Sequence, residues 1–68
     1  MKLGKWVKDN RKNHGISQTW LAGAMGVAQS TVSRIEDEKL EPTVDQLKEF
    51  IWIFKVSDAE IVEMLTKN

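Results

Sequence analysis

Residues 18–36, QTWLAGAMGVAQSTVSRIE, decide how this chain folds. Apolar residues recur through the stretch at helical spacing, as Leu21, Ala22 and Met25 and then Val32 and Ile35. One continuous helix is nevertheless unfavourable, because Gly26 falls in the middle. Glycine takes a positive φ without steric cost and commonly ends a helix in that conformation. The stretch therefore reads as two short helices, Gln18 to about Met25 and about Ala28 to Asp37, with a sharp turn between them. Ser17 is placed to cap the first. Ala22 is small where the two helices cross, and Val27 pins the second one down directly after the turn. Leu21, Met25, Val27, Val32 and Ile35 face inward from both.

The outer face of the second helix is unusual. It carries Gln29, Ser30, Thr31, Ser33 and Arg34, which are polar, mostly short and rich in hydrogen-bonding groups. A merely solvated face favours Glu and Lys, which support a helix better than Ser and Thr do. A helix, a tight turn and a second helix with such a face form a helix-turn-helix unit. Its second helix is suited to the major groove of DNA.

The rest of the chain supplies the props. A first helix fits from roughly Lys2 to Asn13, ending at Gly15. Pro42 closes the loop after the central pair, and Thr43 caps a fourth helix to about Lys55. Ser57 or Asp58 opens a fifth, to about Leu65, with Glu60 completing a possible capping box. No stretch alternates apolar and polar as a strand would, so the expected class is all-α, with five helices in a single domain over residues 1–68. The expected interior is Leu3, Val7, Leu21, Ala22, Met25, Val27, Val32, Ile35, Val44, Leu47, Phe50, Ile51, Phe54, Val56, Ile61 and Leu65.

Composition narrows the function. The chain has no cysteine and one histidine, His14, so no thiolate or zinc site is expected. No nucleophile–base pair and no carboxylate pair in a pocket is evident, which argues against an enzyme. No cofactor or small-molecule ligand is implied. Neither a secretory signal nor a membrane span is apparent, so the expected location is cytoplasmic. The formal net charge is zero but segregated. Lys2, Lys5, Lys8, Arg11 and Lys12 oppose only Asp9 in residues 1–14, a net of +4, whereas residues 36–49 carry a net of −4. A dipolar molecule of this kind can still present a basic face.

Arg11, HGISQTWLAGAMGVAQSTVSRIE from His14 to Glu36, and EPTVDQL from Glu41 to Leu47 together resemble the phage repressor/Cro family, also called the XRE family. The resemblance covers nearly the whole chain. It implies a five-helix, lambda-repressor-like DNA-binding domain acting as a transcriptional regulator on an operator, with a homodimer as the expected form. Carried over residue by residue, it makes Gln29, Ser30, Ser33 and Arg34 base-contacting. Gln18, Thr31 and Lys39 become phosphate-contacting, and Arg11 with Glu36 a partly buried structural ion pair. This sequence departs from the family where Asp37-Glu38-Lys39-Leu40-Glu41 replaces a loop that usually carries glycine and basic residues. It departs again at Asn10, an apolar position of the first helix, and at Trp20 and Trp52, normally polar sites. Trp52 and Ile53 form a possible dimer contact, unless the fifth helix covers them. Two rival readings use the same fold. One is an antitoxin or restriction-modification controller that represses its own operon, and the other is a protein-interaction module.

Overall fold

A computed structural model describes residues 3–66. Five helices follow one another: α1 (Gly4–Asn13), α2 (Gln18–Met25), α3 (Gln29–Glu36), α4 (Val44–Ile53) and α5 (Asp58–Thr66). No strand occurs among the described residues. The expected start of the first helix at Lys2 lies outside the described residues. The helix boundaries have local causes. Ser17 Oγ accepts from the Trp20 amide (3.0 Å) and starts α2. Gly26, at φ 68°, ends it in the left-handed conformation. Thr43 and Gln46 bond each other reciprocally, side chain to backbone, at 3.0 and 3.1 Å, so a full capping box opens α4. At the head of α5 the Glu60 amide donates to Ser57 Oγ (3.2 Å).

The core is small and central. Val7 of α1, Leu21 and Ala22 of α2, Val32 and Ile35 of α3, and Phe50 and Phe54 from α4 and its end are buried. Phe50 and Phe54 stack at 5.9 Å, and Trp6 meets Phe54 edge-on at the same separation. α2 and α3 pack chiefly on each other, and α1 packs on α3. Two residues expected inside lie outside. Val44 is 70% exposed and Leu65 is 56% exposed. Val44 shares its helical face with Leu47 but sits at the first position of α4, at the end of the helix. α5 has no buried residue: it turns Ile61 and Met64 halfway inward and leaves Val62 and Leu65 facing solvent. Leu3, Met25, Val27, Leu47, Ile51, Val56 and Ile61, also expected inside, are only half-buried, because a domain this small cannot enclose a thick interior.

The acidic loop after α3 has a structural use that its composition hides. Leu3, at the N-cap of α1, provides no side-chain cap. Glu38 provides it from the other side of the fold, its Oε1 accepting from the Lys5 amide (3.1 Å). A carboxylate there also meets the positive end of the helix dipole. Glu38 reaches this position with φ at 62°, where a non-glycine residue is uncommon. The close approach requires Gly4: a Cβ there would collide with the Ile35 carbonyl oxygen and stand 2.6 Å from Glu38 Oε1.

Arg11 and Glu36 form the expected ion pair and lock α1 to the end of α3. Arg11 Nε donates to Glu36 Oε2 (2.6 Å) and Nη2 to Oε1 (3.1 Å), while Nη1 satisfies the Ile16 carbonyl (3.0 Å). The Glu36 side chain is only 1% exposed. Burial by itself would raise its pKa. Hydrogen bonds from Arg11 and Gln18, with the nearby charges of Arg11 and Lys8, outweigh burial and hold the carboxyl below its ordinary value.

Gly4→Ala is expected to lower stability by about 1–3 kcal/mol, because backbone rather than a flexible side chain must move. Thermal melting checks this, and an unchanged midpoint would show that the two segments have room. Glu36 has a native pKa below its unfolded one, so its stabilisation is complete above about pH 4.5. It is lost as pH falls further, through the native value. Denaturant unfolding across pH should therefore show a drop below 4.5 that is reduced in Glu36→Gln. Equal acid slopes in the two proteins would contradict the assignment.

Candidate nucleic-acid interface

α3 begins at Gln29, after Ala28 in extended conformation. Ala28 has no side-chain cap to offer, so the amides of Gln29 and Ser30 remain available at the helix start. Val32 and Ile35 bury the back of α3, and Val27 packs half-buried against the core just before it. That anchorage turns Gln29, Ser30 and Arg34 outward, and all three are exposed. Thr31 and Ser33 are half-buried at the margins of the same face. Ser30 and Arg34 are four residues apart, as are Gln29 and Ser33, so each pair is one turn apart on the surface.

Gln18, the first residue of α2, sits beside Gln29, the first residue of α3. Gln29 Nε2 donates to Gln18 Oε1 at 2.7 Å. Gln18 Nε2 in turn donates to Glu36 Oε1 at 2.9 Å. The sequence pointed Gln18 at a phosphate, but most of its side-chain amide is engaged inside the protein. The unbonded backbone amides of α2's first turn are the groups that still suit an anion there. Sequence reading missed this contact because the two glutamines lie eleven residues apart, and no helical periodicity links them across a turn.

Lys39 is exposed in the loop after α3, where its amide bonds the Arg34 carbonyl (2.9 Å). Neither Arg34 nor Lys39 forms an ion pair among the described residues. Lys8 and Lys12 are exposed on α1, and Lys5 is paired with Asp9 at 2.7 Å. This exposed i,i+4 pair contributes little. His14 is a surface residue at the end of α1, its ring against Phe54 and its Nδ1 at 2.8 Å from the Asn10 carbonyl. Asn10 fills its unusual position by donating from Nδ2 to the Trp6 carbonyl (2.9 Å). No group of three or more potential metal ligands clusters among the described residues, and no described helix is long and apolar enough to cross a membrane.

An open groove lies between α2 and α4. Trp20, 57% exposed, and Trp52, 82% exposed, line it with Met25, Ile53 and Glu49, over a floor of Gly23, Ala24 and Gly26. The fifth helix leaves Trp52 uncovered. Ile53 beside it is half-buried against the core.

The geometry has counterparts among known proteins. The helix-turn-helix family matches residues 7–61, from within α1 into α5. The "ImmF control region 10 kDa protein" of Bacillus phage phi105 is 29% identical over 69 residues, covering 91% of this chain and 77% of that protein. No solved structure matches. With the match spanning most of the chain and all of α2, α3 and α4, this chain belongs to the helix-turn-helix family of the phage repressor/Cro type, a family of DNA-binding transcription regulators.

Proposed function

We propose that the chain acts as a single helix-turn-helix unit that reads an operator in the major groove with α3, as a homodimer. One observation carries this reading. α3 is fixed from behind by Val32 and Ile35, while Gln29, Ser30 and Arg34 are exposed on its outer side. Gln29 can pair with adenine N6 and N7, and Arg34 with guanine O6 and N7. Ser30 and Ser33 offer hydroxyls to neighbouring base edges. Thr31, Lys39 and the start of α2 at Gln18 hold the phosphates on either side and set the register. The relative named for a phage control region fits a regulator of this kind.

Two copies suit such an operator. A protomer measures 30 × 22 × 20 Å. Two abutting copies can therefore place their α3 helices at about 34 Å, one turn of duplex. The groove beside Trp52 and Ile53 is the apolar surface we assign to that contact. The same exposed tryptophans are what favour the second reading, a protein-interaction module. Salt separates the two, since phosphate neutralisation makes DNA affinity fall steeply as salt rises and an apolar contact responds little.

Gln29→Ala should weaken binding to the selected operator by about 1–3 kcal/mol without changing the melting temperature. Titration against the duplex recovered from random-sequence selection checks it, and undiminished affinity would remove Gln29 from the site. Trp52→Ala should shift self-association toward the monomer. Sedimentation equilibrium giving identical masses for variant and wild type at every concentration would reject the contact.

A further inference from the structure

We infer that Glu36, which lies in the protein interior, sets which base Gln29 selects by fixing the direction of the hydrogen-bond chain Glu36–Gln18–Gln29. The inference rests on Gln29 being a base reader and concerns how its choice is made.

An ionised carboxylate only accepts hydrogen bonds, whereas an amide side chain has one accepting end and one donating end. Arg11, with two bonds to Glu36, keeps it ionised. Glu36 Oε1 still has lone-pair capacity and faces Gln18 at 2.9 Å. Only the amide nitrogen of Gln18 can occupy that side. Its oxygen must then lie at the far end, where it accepts from Gln29 Nε2 at 2.7 Å. Gln29 is in turn held with its nitrogen toward Gln18 and its Oε1 away from it. Each step follows from the one before, and the first is a charge that belongs to the core.

The direction has a consequence for base choice. In this orientation Gln29 offers one acceptor, Oε1, and the second hydrogen of Nε2. Adenine presents the complement, an N6 donor and an N7 acceptor. With the chain reversed, Gln29 would bond Gln18 through its oxygen and offer two N–H donors. Guanine, with acceptors at both O6 and N7, is the complement of that arrangement. A neutral or absent group at position 36 leaves both directions open. Glu36 is thus a positioning residue that separates adenine from guanine without touching DNA. A purely structural Glu36 would need only its bonds to Arg11.

The test uses the full chain and two duplexes that differ only by A·T or G·C at the base pair whose preference Gln29→Ala abolishes. Wild type should favour adenine by about tenfold or more. Gln18→Met leaves the Arg11–Glu36 pair untouched and should bring the ratio to within about threefold. Glu36→Gln should relax the ratio as Gln18→Met does. If that variant does not fold, Glu36→Asp keeps the charge, withdraws the acceptor by one methylene and takes its place. A wild-type ratio in Gln18→Met, or in the folded Glu36 variant, overturns the proposal. An equal loss on both duplexes at an unchanged ratio, the mark of a phosphate contact at Gln18, overturns it as well. If Gln29→Ala alters no base preference, it is the base-reading assignment that fails.

Discussion

A helix of eight residues has almost no stability of its own in water, since nucleation costs several fixed dihedrals and few bonds follow to offset them. α3 is such a helix, and it begins without a side-chain cap. Its existence depends on one buried strip, Val32 and Ile35, lying against Val7, Leu21 and Phe50. Everything placed on its outer side inherits its precision from that strip. Ser and Thr on the exposed face weaken α3 further, so the helix tolerates them only because packing, not propensity, holds it. α2, α1 and α4 can be understood as the means of supplying that packing at a fixed angle.

The end of α3 is secured differently. Val32 and Ile35 fix its rotation, but its C-terminus is tied by charge, through Glu36 to Arg11 and through the turn at Glu38 to the start of α1. A buried ion pair adds little net stability over an apolar pair of the same shape, yet losing one partner costs about 3–5 kcal/mol. Its value lies in direction. Apolar contacts leave a helix free to slide by fractions of an ångström, whereas two aligned bonds between a guanidinium and a carboxylate do not. The same carboxylate then has an oxygen to spare for Gln18. Fixing the helix and holding the Gln18 side chain against Gln29 are therefore two uses of one group.

Much of this was legible in the residues because local rules dictated it. Gly26 breaks α2 from α3 by its own φ, Ser17 and Thr43 cap by their own hydroxyls, and the inward faces of α2 and α3 follow a simple period. What escaped depended on distance in sequence. Glu38 caps a helix that starts more than thirty residues earlier, and Gly4 is small on account of a carbonyl in α3. Val44 obeys the helical period and is still exposed, since periodicity tells which face a residue is on and not where the neighbouring helix ends. α5 failed in the same way at Leu65, having an apolar face with nothing broad enough to bury it. At the interface the exposure of Gln29, Ser30 and Arg34 could be read from the pattern. The occupied amide of Gln18 could not, because it results from three elements meeting.

A chain of zero net charge has no overall attraction to a polyanion, but the balance changes when internal partners are set aside. Glu36 is neutralised by Arg11, and Glu38 faces the positive end of α1. Two of the acids that make residues 36–49 so negative are thereby used inside the fold. Arg34 and Lys39, adjoining them, have no ion-pair partner among the described residues. Lys8, Lys12, Lys48 and Lys55 are likewise exposed and without an ion pair there, so cations remain that can attract a polyanion. That attraction carries no sequence information, so under the proposed reading selectivity comes from directional contacts at α3, and that places the demand for precision back on the packing of Val32 and Ile35.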